Sequence, residues 1–165
     1  MISLTNWLDR PELRIRDATQ DDAADMAAIH AGSFGRDWSE AEFESLMRQD
    51  AIHGYMAHRR GTFRRFRPAG FVLVRIADTD SEILTIAVSR AAQGEGIGRR
   101  LMEEALRLVY REGVETLHLE VEAENNVAVG LYRSLDFETV GERKAYYGQG
   151  QAEARTALVM RRQVR

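Results

Sequence analysis

Glycine spacing is the first sign of chemistry in this chain. Residues 84–101 read LTIAVSRAAQGEGIGRRL: an apolar run (Leu84, Ile86, Ala87, Val88), then Gly94, Gly96 and Gly98, then a helical pattern. A helix N-terminus carries unpaired N–H groups and roughly half a positive charge, so glycines that let backbone approach a ligand there make a cradle for an anion. Two common cradles fail on spacing. A dinucleotide fingerprint GxGxxG begun at Gly94 ends on Arg99, and one begun at Gly96 ends on Leu101. A Walker loop needs Gly-Lys-Ser/Thr, whereas Gly98 is followed by Arg99 and Arg100. What remains is Gln93-x-x-Gly96-x-Gly98, which by spacing alone is either a tight connection or a phosphate site.

A second group lies in residues 117–137, LHLEVEAENNVAVGLYRSLDF. Leu117, Leu119 and Val121 alternate with His118, Glu120 and Glu122, so three polar side chains share one face of a strand. On pattern alone Glu120 is a solvated strand carboxylate, and Tyr132 a core ring with its hydroxyl at the rim. The histidines (His30, His53, His58, His118) show no metal-binding spacing, and there is no cysteine. No metal is therefore expected, and disulfides and thiolate chemistry are excluded.

These two stretches together resemble the acetyl-CoA site of the GNAT N-acetyltransferase superfamily. With IHAGSFGRDWSEAEF (29–43) and RKAYY (143–147), the resemblance is strongest to the bacterial ribosomal-protein-alanine N-acetyltransferases, the RimI group. It implies an α/β protein with the single-domain GNAT fold: a mixed, twisted and splayed central sheet of about six to seven strands flanked by helices. It implies acetyl-CoA as cosubstrate, with Ile86, Ala87 and Val88 offering strand backbone to the pantetheine arm. Gln93, Gly94, Glu95, Gly96, Ile97, Gly98 and Arg99 would hold the pyrophosphate, and Asn125 would bind the pantetheine. Glu120 becomes the general base, acting through water, and Tyr132 the proton donor to the CoA sulfur. Phe34, Trp38, Tyr146 and Tyr147 become candidates for the groove that receives a peptide; on pattern alone they are equally aromatics covering the core.

The activity so implied is acetyl transfer to a protein N-terminal amine, plausibly the N-terminal alanine of a small-subunit ribosomal protein. A small amine or a lysine is the alternative acceptor. An acetyl-CoA sensor or ribosome-associated binding module is the alternative of another class, against which the presence of both Glu120 and Tyr132 argues. Three departures stand out: Glu95 inside the pyrophosphate loop, Asp136 where the family has glycine, and an unusually basic loop at residues 59–67. That loop, RRGTFRRFR, carries five arginines and two phenylalanines. It is either a solvated hairpin connection or a contact to RNA or an acidic partner.

The elements that must position these groups are legible by period and caps. Leu13 to Arg16 alternates as a first strand. Thr19 with Asp22, and Ser39 with Glu42, open two helices as capping boxes. Tyr55 to His58 and Gly70 to Ile76 read as a hairpin, with a turn at Asp78 to Ser81 into a strand over residues 82–88. Leu101, Met102, Ala105, Leu106 and Val109 give the face of the helix after the glycines, and Gly113 is placed to cap its C-terminus. Asn125-Asn126 caps a short helix, and residues 137–143 and 154–161 are the last two strands.

At 165 residues the chain is read as one acetyltransferase domain over 13–161, with an N-terminal extension at 1–12 and a C-terminal tail at 162–165. A net charge of −3 argues against general nucleic-acid binding. Without an apolar membrane-length run or a secretory leader pattern, no membrane association and a cytoplasmic location are expected.

Overall fold

The computed structural model describes residues 12–34, 36–61, 65–145 and 155–165. Seven strands and four α-helices alternate along it: β1 (Leu13–Asp17), α1 (Ala23–His30), α2 (Glu40–Met47), β2 (Ile52–Arg60), β3 (Phe66–Ala77), β4 (Asp80–Val88), α3 (Ile97–Arg111), β5 (Thr116–Glu122), α4 (Asn126–Ser134), β6 (Glu138–Ala145) and β7 (Arg155–Gln163). The sheet order is β1-β2-β3-β4-β5-β7-β6. Pairing is antiparallel for β1/β2, β5/β7 and β6/β7 and parallel for β4/β5, so the sheet is mixed, as expected for the fold class.

The described chain divides into two compact units. One comprises residues 1–73 with 85–105, the other 74–84 with 106–165; β3, β4 and α3 contribute to both. In the first unit, Thr19 N–H donates to Asp22 Oδ2 at 2.8 Å ahead of α1, and Ser39 and Glu42 close a full capping box on α2. Met26, Phe43, Met56, Phe71 and Leu73 are fully buried. Phe43 stands edge-on to Phe71, with ring centroids 5.4 Å apart.

In the second unit β5 alternates as its sequence demands, with Leu117, Leu119 and Val121 buried and Glu120 and Glu122 exposed. The end of α3 is a Schellman turn: Val114 N–H bonds to Val109 O at 3.1 Å and Gly113 N–H to Tyr110 O at 3.2 Å, with Gly113 at φ +75°. The end of α4 repeats the same bonds, from Phe137 to Tyr132 and from Asp136 to Arg133, both at 3.0 Å. Its left-handed residue is Asp136, at φ +62°.

Several boundaries differ from the sequence reading. β2 extends from Ile52 to Arg60 rather than over Tyr55 to His58, because pairing with β1 continues to Arg59 opposite Leu13. The turn after β3 uses only Asp78 and Thr79, with Asp80 and Ser81 already in β4 and paired to Thr116 and Leu117. β7 runs on to Gln163, opposite Thr116. On α3 the buried stripe includes Leu108, while Leu106 is only half-buried. Between β6 and β7 an extra residue, Val140, makes a bulge between Thr139 and Gly141.

Candidate active site

In the second unit, parallel pairing of β4 with β5 begins at Asp80/Thr116 and reaches Glu82/His118. Ile83 and Leu84 on β4 and Leu119 and Glu120 on β5 then line a cavity of about 670 Å³. Arg75, Glu82, His118, Arg143 and Val159 complete much of its wall. The position of Glu120 follows from the β5 alternation: burying Leu119 and Val121 on one face forces Glu120 onto the other, opposite Val159 of β7. Its Oε1 lies 3.2 Å from Nη1 of Arg143, both side chains being largely exposed. Two positions on, Glu122 accepts a hydrogen bond from Arg155 at 3.0 Å and does not line the cavity. The cavity thus separates two strand carboxylates that alternation alone leaves alike.

The wall around Glu120 mixes apolar residues with charged ones. Arg75 bonds Glu82 at 2.5 Å, and His118 Nδ1 lies 4.0 Å from Asp80 Oδ1. Arg75, Glu82, His118 and Arg143 were not singled out by sequence reading, although alternation on β5 already put His118 on the polar face.

Tyr132 is 6% exposed on α4, tilted against Phe137 with ring centroids 6.0 Å apart. Burial pushes its phenol up to about 12, because the phenolate would lose hydration without a compensating charge. The hydroxyl therefore holds its proton throughout the neutral range. Asn125 is the N-cap of α4, its Oδ1 accepting from Ala128 N–H at 3.1 Å, which leaves the amide NH2 end for other contacts.

The first unit holds the glycine loop. Gly94 and Gly96 take φ +81° and +79°, and no atom lies within 4 Å of where a Cβ would stand on either. Backbone there is exposed and in a conformation glycine alone adopts freely. Gln93 Nε2 donates to Val88 O at 3.2 Å and ties the loop back to the end of β4. Ala87 is buried, with Ile86 and Val88 half-buried beside it. Ile97 is buried at the start of α3, with half-buried Gly98 and Arg99 after it. Glu95 is not bare: its Oε1 accepts a hydrogen bond from Arg59 Nη1.

Also in the first unit, His30 organises an aromatic group. Its ring stacks on Phe34 at 4.4 Å and on Trp38 at 5.2 Å and meets Phe43 edge-on at 5.5 Å. Its Nδ1 accepts the Trp38 N–H at 3.3 Å, so that nitrogen is unprotonated. Burial holds His30 below the usual histidine range, against the pull of Asp37 and Glu42. Phe34 is exposed and Trp38 half-buried, both resting on a histidine notable in sequence only for its lack of metal-binding spacing.

Tyr146 and Tyr147 lie outside the described residues, as do Thr62, Phe63 and Arg64 of the basic loop. Within that loop Arg59 and Arg60 pair with Glu95 and Glu12, while Arg65 and Arg67 are exposed. Among the described residues no group of three or more side chains is arranged to hold a metal ion, and no helix is long and apolar enough to cross a membrane.

Residues 20–137 match the Acetyltransferase (GNAT) family. The chain is 38% identical over 151 residues to the N-alpha-acetyltransferase RimI of Mycobacterium tuberculosis, covering 90% of this chain and 92% of that one. It is 32% identical over 110 residues to the [Ribosomal protein bS18]-alanine N-acetyltransferase of Escherichia coli, covering 67% and 70% of the two chains. The crystal structure of the Escherichia coli ribosomal-protein-S18-alanine N-acetyltransferase superposes with a TM-score of 0.79 at 25% identity, over 93% of this chain and 94% of that one.

Proposed function

The chain belongs to the Acetyltransferase (GNAT) family, and from that premise we propose that it acetylates the N-terminal α-amine of a protein, an alanine of a small-subunit ribosomal protein. The observation that carries this is the 38% identity to an N-alpha-acetyltransferase along nearly the full length of both chains. Such an acceptor implies action in the cytoplasm, and the exposed Arg65 and Arg67 are the residues of the basic loop suited to meet ribosomal RNA.

Acetyl-CoA supplies the thioester whose acetyl carbon the amine attacks and whose sulfur departs. The residues fit it: an exposed loop with two left-handed glycines at the start of a 15-residue helix suits a diphosphate. In this reading Gln93, Gly94, Glu95, Gly96, Ile97, Gly98 and Arg99 hold the diphosphate mainly through backbone N–H groups. Backbone of Ile86, Ala87 and Val88, and the Asn125 amide, orient the pantetheine.

An N-terminal amine with a pKa near 8 is largely protonated at neutral pH and is then no nucleophile. Glu120, exposed on a cavity and carrying a carboxylate, takes that proton through water, and the C–N bond forms as the C–S bond breaks. Tyr132 keeps its proton and directs it at the departing sulfur. As a weaker acid than an ordinary thiol, whose pKa is about 8.5, it stabilises the departing thiolate chiefly by donating a hydrogen bond, and any proton it passes to sulfur is restored to it from water. Phe34 and Trp38 are the described residues assigned to the acceptor peptide in this reading, and the family resemblance adds Tyr146 and Tyr147.

The test is thiol release from acetyl-CoA with a short peptide beginning in free alanine. It is run beside its N-blocked twin, a blocked lysine peptide and a panel of small amines. Turnover confined to the free N-terminus is the expected result; turnover confined to small amines would overturn the acceptor assignment.

A further inference from the structure

A carboxylate in an anion cradle is a contradiction that needs a physical answer. Glu95 sits between Gly94 and Gly96, where its charge opposes any diphosphate bound by the loop. The structure pairs it with Arg59, 36 residues earlier in the chain and the next-to-last residue of β2. The same Arg59 Nη1 donates to Ala91 O at 3.1 Å, in the turn that leads into the loop. Each side chain of the pair is 29% exposed, so the contact is partly shielded from solvent. The donors on Nε and Nη2 of Arg59 make no hydrogen bond among the described residues. A guanidinium held by one nitrogen presents the rest of its planar fork, the geometry that suits phosphate oxygens.

We propose that Arg59 binds the diphosphate of acetyl-CoA and that Glu95 is its positioning residue; this rests on the reading of residues 93–99 as the diphosphate loop. Glu95 and Ala91 O fix the guanidinium beside the glycines, leaving its other N–H groups to meet a phosphate. The arginine is mounted on a strand paired to β1, with Arg59 opposite Leu13, so its backbone is set before ligand binds. The acidic residue in the loop and the basic start of residues 59–67 are then one device.

The rival account is that Arg59 merely cancels Glu95. Calorimetric titration of acetyl-CoA into wild type, Arg59→Gln, Glu95→Gln and the double variant separates the two. Arg59→Gln is expected to weaken binding about tenfold, the loss of one charge-assisted hydrogen bond. The deciding comparison is the double variant against Glu95→Gln: a loss of about fivefold or more, with no carboxylate left to cancel, is expected if Arg59 touches phosphate. Equal affinity of those two variants would overturn the inference while leaving the loop assignment intact. In assays with S-acetylpantetheine, which has no diphosphate, Arg59→Gln should leave kcat/KM unchanged; an equal loss there would also overturn it. A wild-type protein that does not bind acetyl-CoA would overturn the loop reading and this inference with it.

Discussion

Asp22 and Glu120 are both carboxylates that face an arginine, in opposite surroundings. Asp22 is 5% exposed and takes Arg16 through two hydrogen bonds, at 2.6 and 2.8 Å, plus the Thr19 N–H. Arg16 and the N-terminal capping hold its carboxyl below the usual range. Glu120 has a single arginine contact, to the exposed Arg143, on the wall of an open cavity. A buried carboxylate must have its charge met by donors or the fold loses stability. An exposed one is solvated in any case and contributes little through its ion pair. The first arrangement fixes a helix start, and the second leaves a carboxylate free to exchange partners. Fixing is thus kept apart from the proton transfer proposed for Glu120.

Glu120→Gln tests the separation most sharply. The amide keeps the shape and loses the base, so kcat is expected to fall about 10²–10⁴-fold. The thermal midpoint should stay where it is, since exposed substitutions change stability by about 0.5 kcal/mol or less. Steady-state kinetics beside calorimetric melting would show it, and an unaltered kcat would remove Glu120 from the mechanism. Asp22→Ala should do the reverse. It strips four donors of their acceptor, two on Arg16 with the N–H and hydroxyl of Thr19, but Arg16 is half-exposed and can turn to water, so the cost is set at about 2–3 kcal/mol. Denaturant unfolding should register that loss with turnover per folded molecule unchanged; a fall in kcat at constant folded fraction would break the comparison.

Much of this was legible in sequence, for reasons of range. Both capping boxes, the glycine cap of α3 and the β5 alternation are encoded within a few residues, and each appears where the pattern put it. The seven-strand mixed sheet followed from family resemblance, and period alone would not have ordered its strands. What escaped was non-local. Arg59 and Glu95 read as two unrelated oddities because 36 residues separate them. By alternation Glu120 and Glu122 could not be told apart, and only the family resemblance singled out Glu120, since their physical difference is a cavity wall made by β3, β4, β6 and β7 as well as β5. His30 read as one more histidine without metal-binding spacing, because its stacking with Phe34 and Trp38 is a tertiary contact that no local pattern encodes.

His30 brings a third ionisable group into the comparison. Burial lowers its pKa, so the folded state favours the neutral ring that accepts the Trp38 N–H. Unfolded histidine titrates near pH 6.5, and below that the unfolded chain binds more protons than the folded one. The contribution of His30 is therefore complete above pH 6.5 and is lost as pH falls from there through its lower folded value. Asp22 loses its own contribution only further down, as pH falls below about 3.8 through its depressed value. Melting His30→Gln from pH 7 to 5 should give a shallower decline than wild type. The decline should not vanish, because burial also lowers His58. An unchanged slope would mean that the ring is not held neutral.

Asp136 supplies the smallest effect and a carboxylate of a third kind. Its backbone closes the Schellman turn of α4 just as Gly113 closes that of α3, yet its side chain is exposed and makes no hydrogen bond among the described residues. A left-handed conformation costs an ordinary L-residue about 1–2 kcal/mol, and aspartate somewhat less. Glycine removes that strain but adds freedom to the unfolded chain, a counter-term of about 0.5–1 kcal/mol. Asp136→Gly should therefore stabilise the protein by a few tenths of a kcal/mol up to about 1 kcal/mol. Gly113→Ala, which meets the same strain with no polar side chain to offset it, should destabilise by about 1 kcal/mol. Chemical denaturation of the two variants reads both signs. A loss of stability in Asp136→Gly would mean that this carboxylate, like Asp22, has work to do in the folded state.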